Sequence, residues 1–235
     1  MFKTLIAAAA LAVACGSAAA LDVSEILRKA DSFRLREASS QVDTLVQTFK
    51  DGKPDKEKRY QVLIRPGGKA LILFRSPGEA GQKVLMSGDD FWMLLPGSAR
   101  PIRITPLQKL LGDASTGDIA TMTWSGDYQG SIAREVEAGG VACLELELAA
   151  TRKTLSYQRV VLQVAKSDYH PVHADLFATS NKRLKQARFE QNRMVLLDEI
   201  NTGRETVVTT LASKPRQFGD ELFNPMYLAR SDAAP

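Results

Sequence analysis

The sequence predicts a mainly β protein with some helix. It reads as one antiparallel sheet of about ten or eleven strands, with an N-terminal helix and a short helical insert. Three observations carry this. From Arg59 to Arg103 the chain is a series of short apolar runs separated by Gly, Pro and Asp turns, which is the pattern of a meander. From Leu144 onwards the runs resume with alternating polarity, as in Leu144-Glu145-Leu146-Glu147-Leu148. Between them, Leu107, Leu110 and Leu111 recur at helical spacing. That many strands are too many for a flat open sheet, so the sheet must curl.

The first twenty residues stand apart. Lys3, the apolar run Leu5–Ala14 and the small residues Ala18-Ala19-Ala20 read as a cleavable secretory signal, cut after Ala20. The mature protein, 21–235, is then a single domain located beyond the inner membrane, in the periplasm. A rival is lipidation at Cys15, although the expected Leu three positions before that cysteine is absent. Formal charge is +4, and removing Lys3 leaves +3. No basic block with interleaved aromatics is present, which argues against nucleic acid as a partner. Cys143 is then the one cysteine of the mature chain and reads as a small strand residue.

The elements follow in order. Val23–Lys29 is a helix capped by Asp22 or Ser24, with Val23, Ile26, Leu27 and Ala30 on one face. A long strand runs from Phe33 to Lys50 and ends at Asp51-Gly52, a hairpin signal. The charged run Lys53–Arg59 reads as a solvated turn. In the meander, Leu71-Ile72-Leu73-Phe74 is apolar on both faces, so both sides of the sheet are covered there, by other elements or by a ligand. Thr105–Ser131 reads as two short helices joined by the Gly112–Gly117 loop. Strands then fill the chain to Leu211, and Phe218–Tyr227 is a docked turn.

Chemistry finds no anchor. His170 and His173 point to opposite faces of a strand, which is wrong for a shared metal. No metalloprotease helix motif, phosphate-cradling loop or nucleophile elbow is present. Asp89 and Asp90 read as a tight turn. Glu145 and Glu147 read as a wet outer face. We therefore expect no catalytic residue, no metal and no cofactor, and a protein that is not an enzyme.

Three segments carry a resemblance. Arg65-Pro66 precedes an apolar strand. Val84-Leu85-Met86-Ser87-Gly88-Asp89-Asp90-Phe91-Trp92-Met93-Leu94-Leu95-Pro96 is a strand–turn–strand with an aromatic pair and a closing proline. Gly112–Ile119 precedes Asp127-Tyr128. With the order of elements, these resemble the outer-membrane lipoprotein carrier (LolA-like) family, the last segment being closest to its lipoprotein-sorting branch. The chain departs from that pattern in Gly67-Gly68-Lys69 after Pro66.

The resemblance implies an unclosed half β-barrel with short helices as a lid. It also implies a carrier that shields the acyl chains of lipoproteins, or another envelope lipid, between an inner-membrane exporter as donor and an outer-membrane acceptor. The protein would be a monomer. Arg65 would take the family's role of latching the lid. The cavity would be lined by Leu71, Leu73, Phe91, Met93, Leu95, Leu144, Leu146 and Leu148, and the lid by Leu107, Leu110, Leu111 and Met122; plain core packing is the competing reading for each. Two further alternatives are a non-transporting lipid- or lipoprotein-binding sensor, or accessory subunit of a lipid exporter, and an envelope-lipid hydrolase. Burying roughly ten methylenes at about 0.8 kcal/mol each would give near-micromolar binding before ordering costs, weak enough for release.

Overall fold

A computed structural model of the chain describes residues 22–34, 39–104 and 123–230. Helix α1 (Val23–Ser32) opens it. Asp22 caps the helix by accepting from the Ser24 backbone N–H at 3.0 Å. Glu25 in its first turn and Lys29 in its last complement the helix dipole. Ile26, Leu27 and Ala30 are buried on one face.

Thirteen antiparallel strands follow: β1 (Ser40–Lys50), β2 (Lys53–Arg65), β3 (Lys69–Phe74), β4 (Lys83–Ser87), β5 (Asp90–Leu94), β6 (Ile102–Arg103), β7 (Tyr128–Ala138), β8 (Val141–Ala150), β9 (Arg159–Ala165), β10 (Pro171–Phe177), β11 (Arg183–Glu190), β12 (Arg193–Asp198) and β13 (Arg204–Pro215). They form one sheet in the order β6-β5-β4-β3-β2-β1-β13-β12-β11-β10-β9-β8-β7. Successive strands pair within β1–β6 and within β7–β13, and the two runs join at the centre, where the first strand meets the last.

The sheet is not closed, yet it curls. At about 4.8 Å per strand, the β4–β5 turn and the β8–β9 loop would lie about 40 Å apart in a flat sheet. Instead Arg152 of that loop donates to Asp89 of that turn at 2.9 Å. Curling gives the sheet an inner face that wraps α1. Buried residues from both halves, including Val62, Ile72, Phe91, Leu146, Leu162 and Leu196, join the helix in one cluster.

The outer face of the first meander is covered as well. Leu63, Leu71, Leu73, Leu85 and Leu94 pack under Phe223 and Leu228 of the C-terminal segment. This accounts for the doubly apolar β3: Ala70 and Ile72 point inward, and Leu71 and Leu73 point outward.

Three expectations need correction. Phe33 closes α1 rather than opening a strand, and β1 begins at Ser40. Lys53–Arg59 is not a turn but the first half of a 13-residue β2. It pairs with β1 from a two-residue turn at Asp51-Gly52, both at positive φ (51° and 74°). Backbone bonding holds this stretch, so its side chains carry no apolar alternation. The strand count rises to thirteen among the described residues, and β7 escapes the sequence reading because it shows little alternation: it is an edge strand, largely exposed.

Candidate ligand pocket

A cavity of about 700 Å³ opens on the inner side of the central strands. Val42 and Thr44 of β1, Val208 and Thr210 of β13, Phe189 of β11 and Met194 of β12 form its wall. Trp124 and Ile64 close it from the sides, and Phe33 and Arg34 at the end of α1 lie over the opening. Four of these six side chains are apolar, and they share the inward parity of their strands with the buried cluster.

One irregularity shapes the mouth. In the β1–β13 ladder Asp43 pairs with Ala212, and Thr44 pairs with Thr210. Leu211 is the extra residue of a β-bulge, a device that turns a side chain away from its regular direction. It lines the mouth and stays 50% exposed, as does Phe33 at 43%.

The turn before β10 supplies polar groups to the same mouth. His170 Nδ1 lies 2.6 Å from Asp168 Oδ1, and the His170 backbone N–H also donates to that oxygen at 3.2 Å. These bonds from His170 hold the Asp168 carboxyl below the usual carboxylate range. The His170 ring meets Phe33 edge-on, with centroids 5.8 Å apart. His173, by contrast, sits outward on β10 beside inward Ala174. Among the described residues no cluster of His, Cys, Asp and Glu is placed to hold a metal.

The residues expected to line a cavity are not at this pocket. Leu71 and Leu73 lie on the outer face under Phe223 and Leu228. Phe91, Leu144, Leu146 and Leu148 are buried in the inner cluster, and Met93 packs against it. Leu95 lies beyond β5, 45% exposed. Leu107, Leu110, Leu111 and Met122 lie outside the described residues. Arg65 points outward: its guanidinium donates to Asp220 at 2.6 Å and sits 5.6 Å over the Phe223 ring. That contact pins the C-terminal segment, and it follows from Arg65 sharing the parity of Leu63 on β2.

Two arrangements escaped the sequence reading. Asp31, near the end of α1, accepts from Trp124 N at 2.6 Å, Ser125 N at 2.9 Å and Ser125 Oγ at 2.6 Å. Burial nevertheless pushes its carboxyl up, because desolvation outweighs the three bonds. Arg152 joins Asp89 to Asp127, which also accepts from Thr123 Oγ1 at 2.9 Å. Asp89 is thus more than a turn residue: it receives bonds from Arg152 and Thr154 across the open side of the barrel. Both arrangements join distant residues, 93 positions apart for Asp31–Trp124 and 63 for Asp89–Arg152, which leave no local signal.

No match is found among curated proteins. A LolA superfamily protein from Nitrosomonas europaea is 29% identical, with a TM-score of 0.80 over 87% of this chain and 98% of that one. A DUF1329 family protein from Desulfovibrio piger shares the fold at 20% identity, with a TM-score of 0.71 over 86% of this chain and 95% of that one. So does a putative outer membrane lipoprotein-sorting protein domain from Vibrio parahaemolyticus, at 19% identity and a TM-score of 0.71 over 88% of this chain and 98% of that one. A family model described only as "Uncharacterized protein" matches residues 67–230. The chain belongs to that family, and its unclosed barrel around one helix is the fold of the Nitrosomonas LolA superfamily protein.

Proposed function

We propose that this protein binds an acyl chain of a lipoprotein or another envelope lipid in the cavity beside the end of α1, and carries it between membranes. The observation that carries the reading is a cavity of about 700 Å³ on the inner face of an unclosed sheet, with Val42, Phe189, Met194 and Val208 in its wall. That size lies within the roughly 300–1,000 Å³ of sites for small ligands, and hydrocarbon burial supplies the driving force. No helix among the described residues is long and apolar enough to cross a membrane. In this reading residues 1–20 are a leader removed after Ala20, and the mature chain works in the periplasm. The likeness to the Nitrosomonas LolA superfamily protein supports the same placement. An exporter would load the cavity and an acceptor would empty it.

The test is lipid analysis of the purified chain, followed by transfer. Organic extracts should yield about one lipid per protein by mass spectrometry, and the loaded protein should pass lipid to acceptor vesicles. Ser213→Trp, which plugs the mouth from an exposed strand position paired with Val42, should lower occupancy on the order of tenfold without altering the circular dichroism spectrum. Purified protein without lipid that also refuses fatty-acid probes would end the proposal.

A further inference from the structure

The mouth of the cavity bears charge of both signs. At the β11–β12 turn, Arg193 Nε lies 3.6 Å from Glu190. At the β9–β10 turn, His170 faces Asp168 at 2.6 Å. Arg34 joins them from the end of α1. The rest of the lining includes apolar Trp124, Phe189, Met194 and Val208, together with Thr44 and Thr210, which pair across β1 and β13.

Volume limits what fits underneath. At roughly 30 Å³ per water-sized group, about 700 Å³ takes on the order of twenty methylenes, which is one ordinary acyl chain and not two. Charge limits what fits above. The ring is exposed and screened beyond about 8 Å, so only groups in direct contact matter. An anionic head would meet Arg34 and Arg193 but also Asp168 and Glu190. A cationic head faces the converse conflict. A head carrying both signs satisfies all four.

We propose that the cavity is built for a single-chain amphiphile with a zwitterionic head, the chemistry of a monoacyl phosphoethanolamine. This rests on the acyl-chain reading above and sharpens it. The tail lies against Phe189 and Met194. The phosphate meets Arg34 and Arg193, and the ammonium meets Glu190. Phe33 and bulged Leu211 form an apolar collar where the tail leaves the ring of charge.

Delipidated full-length protein would be titrated with three probes of equal tail length: a lysophosphatidylethanolamine, a lysophosphatidylglycerol and a diacyl phosphatidylethanolamine. Tryptophan fluorescence, from a Trp92→Phe background that leaves Trp124, and native mass spectrometry would follow binding. The zwitterionic single-chain probe should bind one per chain, about two- to fivefold tighter than the anionic one, in keeping with exposed ion pairs. Glu190→Gln should erase that preference, and Arg193→Gln should weaken both single-chain probes. Equal affinity for the two heads, or a preference that survives Glu190→Gln, overturns the head assignment. Diacyl lipid binding as well as the single-chain probe overturns the single-tail assignment. In both cases acyl-chain binding itself stands. Failure of all three probes to bind removes that reading and this one together.

Discussion

Single residues hold the covers of this sheet in place. Arg65 holds the C-terminal segment through Asp220, whose carboxyl it keeps below its ordinary value of 3.8, with Lys69 adding to the effect. The sign follows from that direction. A lowered carboxyl pKa contributes to docking above the unfolded value, and the contribution is lost as pH falls through the lower folded one. Docking of Phe218–Tyr227 should therefore survive acidification to about pH 3.8 and loosen below it. Arg65→Leu should raise the Asp220 pKa in a carboxyl NMR titration; an unmoved titration would mean that the contact does not form in solution. Gly130 serves a different end. A Cβ there would lie 1.9 Å from the Glu147 carbonyl oxygen of β8. Gly130→Ala should cost about 1–3 kcal/mol in denaturant unfolding, since backbone cannot yield as a flexible side chain does.

At the scale of elements, the C-terminal segment is a cover for β3, β4 and β5 rather than a loose tail. Phe223 and Leu228 are buried against five leucines, and Lys83 donates to the Leu228 carbonyl at 3.2 Å. Phe223→Ala should lower stability by about 3–5 kcal/mol, read by thermal or urea unfolding. A change under 1 kcal/mol would show that the segment adds little. The apolar run of β3 announced that both of its faces are covered, because no alternation was present. It could not say that the outer cover lies some 150 residues away, as Arg65–Asp220 shows. Nor could it separate ligand-facing from core leucines, since burial under protein and burial under lipid select the same side chains. Helix α1 was legible from its cap and apolar face. Strand β7 was not, because an exposed edge strand has no buried face to print on the sequence.

For the whole molecule, the meander and the later strands were readable from turns and alternation, and their number implied curvature. The pocket was not readable. Its wall comes from β1, β2, β11, β12 and β13, which meet only because the first and last strands pair. Its mouth depends on a bulge that has no sequence signature. The Arg152 bridge to Asp89 and Asp127 spans the open side of the barrel at one corner. Arg152→Ala should leave the core strands intact while speeding amide hydrogen exchange in β5, which follows Asp89, and in β7, which follows Asp127. Uniform acceleration across β1 and β13 would instead mark a global loss of stability.

The union of β1 with β13 also sets a timetable for the growing polypeptide. The N-terminal hairpin has one flank without a partner until residue 204 and its successors have left the ribosome. Until then two half-sheets wait side by side, each with a naked hydrogen-bonding rim. Folding must finish late and slowly, as joins between distant parts of a chain do. A nascent chain stalled before β13 is therefore a natural client for a holdase chaperone.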